Sequence, residues 1–233
     1  MDEFSLTLKR QGKIIGKSDT MPIFFQQDID DSTKLAIWKI EEEEDFFLRK
    51  VSLQRTITHP HKRLQHLAGR YILKELFPNF PVELIEIADT RKPYLPDETF
   101  HFSISHCDNY AAAIVSRNKR VGIDVEVPTA KVERIKSKFL HREELGAFES
   151  NRIEEEESSR RLTELTLLWS AKEAVFKWWS YGAVDFSEMI RLEPCAINAA
   201  GQIDCRFITE ERVFPLTVHY RLFDALSLAW VAM

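Results

Sequence analysis

Apolar and polar positions alternate along the chain with two periods, and the changes of period mark out its elements. From Pro60 to Phe77, the residues Leu64, Leu67, Ala68, Tyr71 and Ile72 recur at the spacing of a helix with one apolar face; Pro60 suits its first turn and Pro78 its stop. The period then shortens to two. Phe100, Phe102 and Ile104 alternate with His101, Ser103 and Ser105, and Tyr110 to Val115 and Arg120 to Glu126 follow across short polar connections, which predicts neighbouring strands. Helical spacing returns in Lys131 to Phe148, with Val132, Ile135, Phe139 and Leu145 inward, and again in Leu162 to Tyr181, where Gly182 is placed for a C-cap. The charged stretch Arg152 to Arg161 between them reads as a solvated connection or a helix extension. Met189 to Leu192, Ile203 to Ile208, Leu216 to Leu222 and Leu226 to Val231 predict closing strands. Upstream, residues 4–25 alternate weakly about Gly12, which predicts a hairpin ahead of the acidic run Glu41 to Glu44.

A helix followed by strands thus occurs twice, over about 61–126 and 131–231, without a residue-level repeat. The pattern predicts two lobes of similar make, residues 1–116 and 117–233, meeting near the strand that holds Asp124. A chain of 233 residues with 44% hydrophobic and 30% charged residues has the profile of a soluble globular protein. Its formal charge of -5 argues against broad attraction to nucleic acid or anionic lipid. With only 7 glycines, a backbone cradle for phosphate is not expected, so side chains and metal would have to hold any phosphate. Gly12, Gly16, Lys17 and Ser18 look like a P-loop but stand one residue too close together to form its ring of N–H groups.

The cysteines Cys107, Cys195 and Cys205 are odd in number and lack zinc-site spacing, which suits a reducing compartment. No stretch approaches the ~18 apolar residues of a membrane span, and no apolar segment follows the acidic Met1, Asp2, Glu3 start. A cytoplasmic protein is expected.

Candidate chemistry lies at two places. In Val121 to Glu126 the strand period sends Gly122, Asp124 and Glu126 to one face, so both carboxylates point the same way over a bare position. Taken alone, that is the solvated face of an antiparallel strand. On the long helix, Trp169, Glu173 and Lys177 stand four apart and share a face, which alone is an ordinary ion pair on a helix. Three carboxylates aimed at one place repel each other and raise their own pKa values unless a cation sits among them. Oxygen donors without a cysteine favour Mg²⁺, which takes its remaining ligands from water or substrate phosphate. Candidate phosphate holders are His106, Arg91, Lys92 and Arg70.

Gly122-Ile123-Asp124-Val125-Glu126, followed by Trp169-Ser170-Ala171-Lys172-Glu173-Ala174-Val175-Phe176-Lys177, resembles the paired signature of the 4'-phosphopantetheinyl transferases. Ala68-Gly69-Arg70, Arg91-Lys92-Pro93-Tyr94-Leu95 and Phe102-Ser103-Ile104-Ser105-His106 agree in the expected order, and the length is similar to that of the single-chain, Sfp-type members. The resemblance implies transfer of the 4'-phosphopantetheine arm of coenzyme A to a serine of an apo acyl or peptidyl carrier protein, releasing adenosine 3',5'-bisphosphate. It implies an α+β fold of two pseudo-repeated α/β lobes in a monomer, with the site in a cleft between them. It assigns Mg²⁺ to Asp124, Glu126 and Glu173, the catalytic work to Glu173, Lys177 and Asp124, and coenzyme A contacts to Arg70, Arg91, Lys92, Ser103, Ser105, His106, Lys172 and Lys177. Arg49, Lys50 and Arg55 are further candidates for the 3'-phosphate, and Lys131 to Arg142 or Phe46 to Arg63 for docking an acidic carrier. Two other classes fit parts of the pattern: a Mg²⁺-dependent phosphodiesterase or pyrophosphatase using water as nucleophile, and a non-catalytic carrier-binding module.

Overall fold

Strand alternation and two long helices build two units, each a helix laid on an antiparallel sheet, in a computed structural model that describes residues 13–14, 23–53, 55–150 and 158–233. The first unit ends at Lys119 and the second begins at Arg120.

The first unit contains β1 (Lys13–Ile14), β2 (Ile23–Asp28), β3 (Thr33–Lys39), the short helix α1 (Glu44–Leu48), α2 (Pro60–Leu76), a small hairpin of β4 (Glu86–Ile87) and β5 (Pro93–Tyr94), then β6 (His101–Cys107) and β7 (Tyr110–Ser116). Its five-stranded sheet runs β1-β2-β3-β7-β6. Cys107 pairs with Tyr110 across a two-residue turn in which Asp108 takes a left-handed φ of 44°. The α2 helix sets Leu67, Ala68, Tyr71 and Ile72 against Trp38, Phe102, Ala111 and Ala113. Trp38 and Phe47 both meet Tyr71 edge-on, at ring separations of 5.2 and 5.9 Å. A period-two reading passes over β3 because Leu35, Ala36, Ile37 and Trp38 form a continuous apolar run, buried on both faces. Most of the hairpin predicted over 4–25, with the Gly12 to Ser18 motif, lies outside the described residues.

The second unit contains β8 (Val121–Glu126), α3 (Ala130–Phe139), α4 (Arg142–Ser150), α5 (Ser158–Trp179), β9 (Ile190–Leu192), β10 (Ala200–Ile208), β11 (Val213–Phe223) and β12 (Leu226–Ala232). Its sheet runs β8-β12-β11-β10-β9, antiparallel throughout. Ala171, Ala174, Val175 and Trp178 of α5 pack on Ile203, Phe207, Val218, Ala229 and Val231.

Two expectations change here. The helix predicted from Lys131 to Phe148 is two helices, because the buried Leu140 leaves the helical region (φ -86°, ψ 131°) and Glu144 reaches back to accept from His141 N at 2.6 Å, starting a new first turn. The C-cap is not Gly182 but Ser180, which adopts φ 75° and donates its hydroxyl to the carbonyls of Lys177 and Trp178 at 3.1 and 3.0 Å.

Candidate functional site

The inner face of β8 meets α5 along a seam that begins at Gly122. A Cβ added there would lie 2.0 Å from the Ala174 carbonyl oxygen and 2.6 Å from the Trp178 nitrogen, so only glycine lets helix and strand come this close. The position that appeared bare in the sequence is filled by helix backbone. Two residues along β8, Asp124 is buried and accepts from Lys177 Nζ at 2.6 Å. Two further, Glu126 is half-buried, with Trp169 of α5 in its surroundings. Strand and helix therefore run in opposite directions along the seam, with Trp178, Lys177 and Trp169 opposite Gly122, Asp124 and Glu126 in turn.

Glu173 lies within the same field. Burial first, then the Asp124 carboxylate, push Glu126 up to about 7, with Trp169, Lys177 and Lys131 pulling the other way. Burial, then Asp124, and also Glu126, push Glu173 up to about 7 against Lys177. The Lys177 ammonium thus faces one buried and two half-buried carboxylates, a donor set of hard oxygens that is short of positive charge. This composition fits a divalent cation such as Mg²⁺. Among the described residues, no three His, Cys, Asp or Glu side chains already stand in a metal-holding arrangement. The carboxylates are coupled electrically without being preset around an ion.

Lys172, expected to contact coenzyme A, is placed differently. It is fully buried, and its Nζ donates to Phe139 O (2.7 Å), Glu144 Oε2 (2.6 Å), Phe186 O (3.0 Å) and Ile190 O (2.6 Å). Burial pushes its pKa down and the Glu144 carboxylate pulls it back up. Helical periodicity could not separate Lys172 from Lys177, because both belong to one charged helix in sequence and only packing buries the first. A cavity of about 400 Å³ elsewhere in the unit is lined by Leu140, Phe148, Leu168, Cys195 and Ile197 and by none of the seam carboxylates.

The remaining expected residues lie in the first unit and do not form one group. Arg70, buried on α2, has its Nη1 3.3 Å from His66 Nδ1. His66 is pushed down to about 3 by burial, then by Arg70, Arg55 and His106; Arg70 is pushed down to about 10 by burial, then by Arg55. Arg70 Nε and His66 Nε2 are buried without a hydrogen-bond acceptor. A buried guanidinium with a spare donor, beside a half-buried neutral imidazole, makes an anion-binding environment. The strand period puts His106 on the α2 face of β6 with Phe102 and Ile104, and Ser103 and Ser105 on the opposite face. Arg91 and Lys92 sit in the β4–β5 turn, Arg91 exposed with a left-handed φ of 66°. The sequence reading gave His66 and Trp169 no role. His66 carried no signal beyond its four-residue spacing from Arg70, and Trp169 headed the second signature segment, four residues before Glu173, without a role of its own.

Residues 120–229 match the sequence model of the 4'-phosphopantetheinyl transferase superfamily, a span that includes Asp124, Glu126, Trp169, Glu173 and Lys177. The chain is also similar to enterobactin synthase component D of Salmonella austin, 35% identical over 121 residues, which are 51% of this chain and 48% of that protein. The same-named protein of Salmonella typhi is 34% identical over 123 residues, 51% of this chain and 49% of that protein. The chain thus spans about half the length of the curated relatives it matches.

Proposed function

We propose that this protein is a Mg²⁺-dependent 4'-phosphopantetheinyl transferase of the Sfp type, moving the phosphopantetheine arm of coenzyme A to a serine of an apo acyl or peptidyl carrier protein and releasing adenosine 3',5'-bisphosphate. The observation that carries this reading is the seam, in which Asp124, Glu126, Glu173 and Lys177 converge on a glycine-permitted contact inside the span matched by the superfamily. Asp124, Glu126 and Glu173 would hold Mg²⁺, which when bound withdraws charge from pyrophosphate oxygens. The serine oxygen forms the new bond to the phosphorus bearing the pantetheine arm, and the pyrophosphate linkage breaks with its electron pair leaving on adenosine 3',5'-bisphosphate. Glu173 takes the serine proton. Lys177, held against Asp124 with its side chain 24% exposed, keeps a positive charge at the rim where phosphate charge develops.

His66, Arg70, Arg55 and His106 suit phosphate oxygens of coenzyme A, and Arg91, Lys92, Ser103 and Ser105 are kept as further contacts. A cytoplasmic monomer is part of the reading; among the described residues no helix is long and apolar enough to cross a membrane. The two units read as pseudo-repeats of one plan, with boundaries near 1–116 and 117–233. In the first, β3 leads to α2 and then β6 and β7, in sheet order β3-β7-β6; in the second, β8 leads to α5 and finally β11 and β12, in sheet order β8-β12-β11.

Intact-mass spectrometry of an apo carrier protein mixed with this protein, coenzyme A and Mg²⁺ tests the reading. A metal-dependent gain of one phosphopantetheine on the carrier is expected, with Glu173→Gln losing at least about a hundredfold in rate while remaining folded. Coenzyme A cleavage without carrier, and no gain on several carriers, would replace the transferase by a hydrolase.

A further inference from the structure

His66 and Arg70 stand one turn apart on α2 and their side chains meet, with Arg70 Nη1 3.3 Å from His66 Nδ1. A guanidinium carries donors only, so the ring nitrogen is the acceptor. The imidazole is therefore neutral at Nδ1 and carries its proton on Nε2. Burial, then Arg70, Arg55 and His106, push the ring down to about 3, so it stays uncharged near pH 7; Arg70, pushed down to about 10, keeps its charge there. Arg70 is only 5% exposed, and its Nε has no acceptor. Neither has His66 Nε2. Donors left unfilled inside a protein are costly. The described charged groups that act on the pair, Arg55 and His106, are basic as well. A carboxylate in the place of His66 would hold the guanidinium by cancelling its charge, whereas a neutral ring holds it and leaves the charge whole.

We propose that His66 is a positioning residue for Arg70: its Nδ1 takes up Nη1 and so leaves the opposite edge of the guanidinium, Nε with Nη2, for a phosphate group. That edge presents two parallel N–H groups at the spacing of two phosphate oxygens. An arginine side chain otherwise loses much rotamer freedom when it binds, and a ring that already holds one nitrogen removes part of that loss beforehand. The inference rests on the reading of Arg70 as a coenzyme A contact and deepens it, because the role falls to a side chain that acts on the anion through its neighbour.

The test is calorimetric binding of coenzyme A, and separately of inorganic phosphate, to the full chain and its variants. His66→Phe keeps a ring and removes the acceptor, and should weaken coenzyme A by about tenfold. His66→Asn returns an acceptor oxygen close to the place of Nδ1 and should recover most of that loss. In an Arg70→Met background, His66→Phe should change nothing further. Wild-type affinity in His66→Phe, no recovery in His66→Asn, or equal losses with and without Arg70 would overturn the positioning role and leave coenzyme A binding standing. Inorganic phosphate bound with the same dependence on His66, and coenzyme A not bound at all, would keep the role and overturn the transferase reading. Binding of neither would overturn both. Nitrogen-15 spectra of the unaltered protein read the tautomer directly: the His66 ring should carry its proton on Nε2 with Nδ1 bare, and a protonated Nδ1 would overturn the proposal.

Discussion

The two sheet–helix seams of this chain use the same local plan and opposite chemistry. In the first unit the strand ahead of the helix presents Ala36 and Trp38, and the helix answers with Leu67, Ala68 and Tyr71, so the seam is an apolar core. In the second the strand presents Gly122, Asp124 and Glu126, and the helix answers with Glu173 and Lys177. Close approach is reached differently too. The α2 helix comes down over the small side chains Ala111 and Ala113 of β7, whereas α5 sits on the bare backbone of Gly122 itself. An apolar seam is held by its own burial. A polar seam loses that term, and here one fully buried cation, Lys172, stands beside Glu173 in the helix that carries it.

The contrast is most exposed at Lys172. Lys172→Met should destabilise the second unit by about 3–5 kcal/mol, since it leaves Glu144 and three carbonyls facing an apolar side chain. Amide exchange followed across the whole chain should show the loss within Arg120–Met233 and spare α2 and β3; unchanged exchange would mean that the polar seam needs no such support. Glycine substitutions sharpen the point about approach. Gly122→Ala should cost about 3 kcal/mol, because the added carbon meets helix backbone that cannot step aside. At Gly69→Ala the carbon would lie 2.7 Å from the Cγ2 of Ile104, which belongs to a side chain and not to the backbone, and alanine favours the helix, so a smaller cost of about 1–2 kcal/mol is expected. Equal shifts in denaturant midpoint would erase the distinction.

The smallest effect concerns pH and the first unit. His66 has an ordinary value of 6.5 and is pushed down to about 3 by burial and then by its cationic neighbours, so the folded unit holds fewer protons than the unfolded chain between those values. Its contribution to stability is complete above about 6.5 and declines as pH falls toward 3. His66→Gln should flatten that part of the acid limb in unfolding scans of the full chain. An unchanged slope would show that burial beside Arg70 does not hold the His66 ring neutral.

The extent of α2 and the strands β6, β7 and β8 was legible because apolar spacing follows the geometry of each element directly. The order of the motifs and the shared faces of Asp124 with Glu126 and of Glu173 with Lys177 were legible for the same reason. The break at Leu140 was not, since it depends on a carboxylate returning to a backbone N–H and on one leucine finding a core. Nor was β3, whose burial on both faces hides the alternation that marks a strand.

Periodicity determines which side chains share a face, and by itself the sequence determined that much, together with the residue types offered there. Only the tertiary structure decided which faces meet. It set α5 on Gly122, paired Lys177 with Asp124, sent the neighbouring Lys172 into the interior, and put Ser105 and His106 on opposite sides of β6. The physical reason is that a local pattern fixes direction along one element, while burial, charge pairing and donor geometry arise from contacts between residues far apart in the chain.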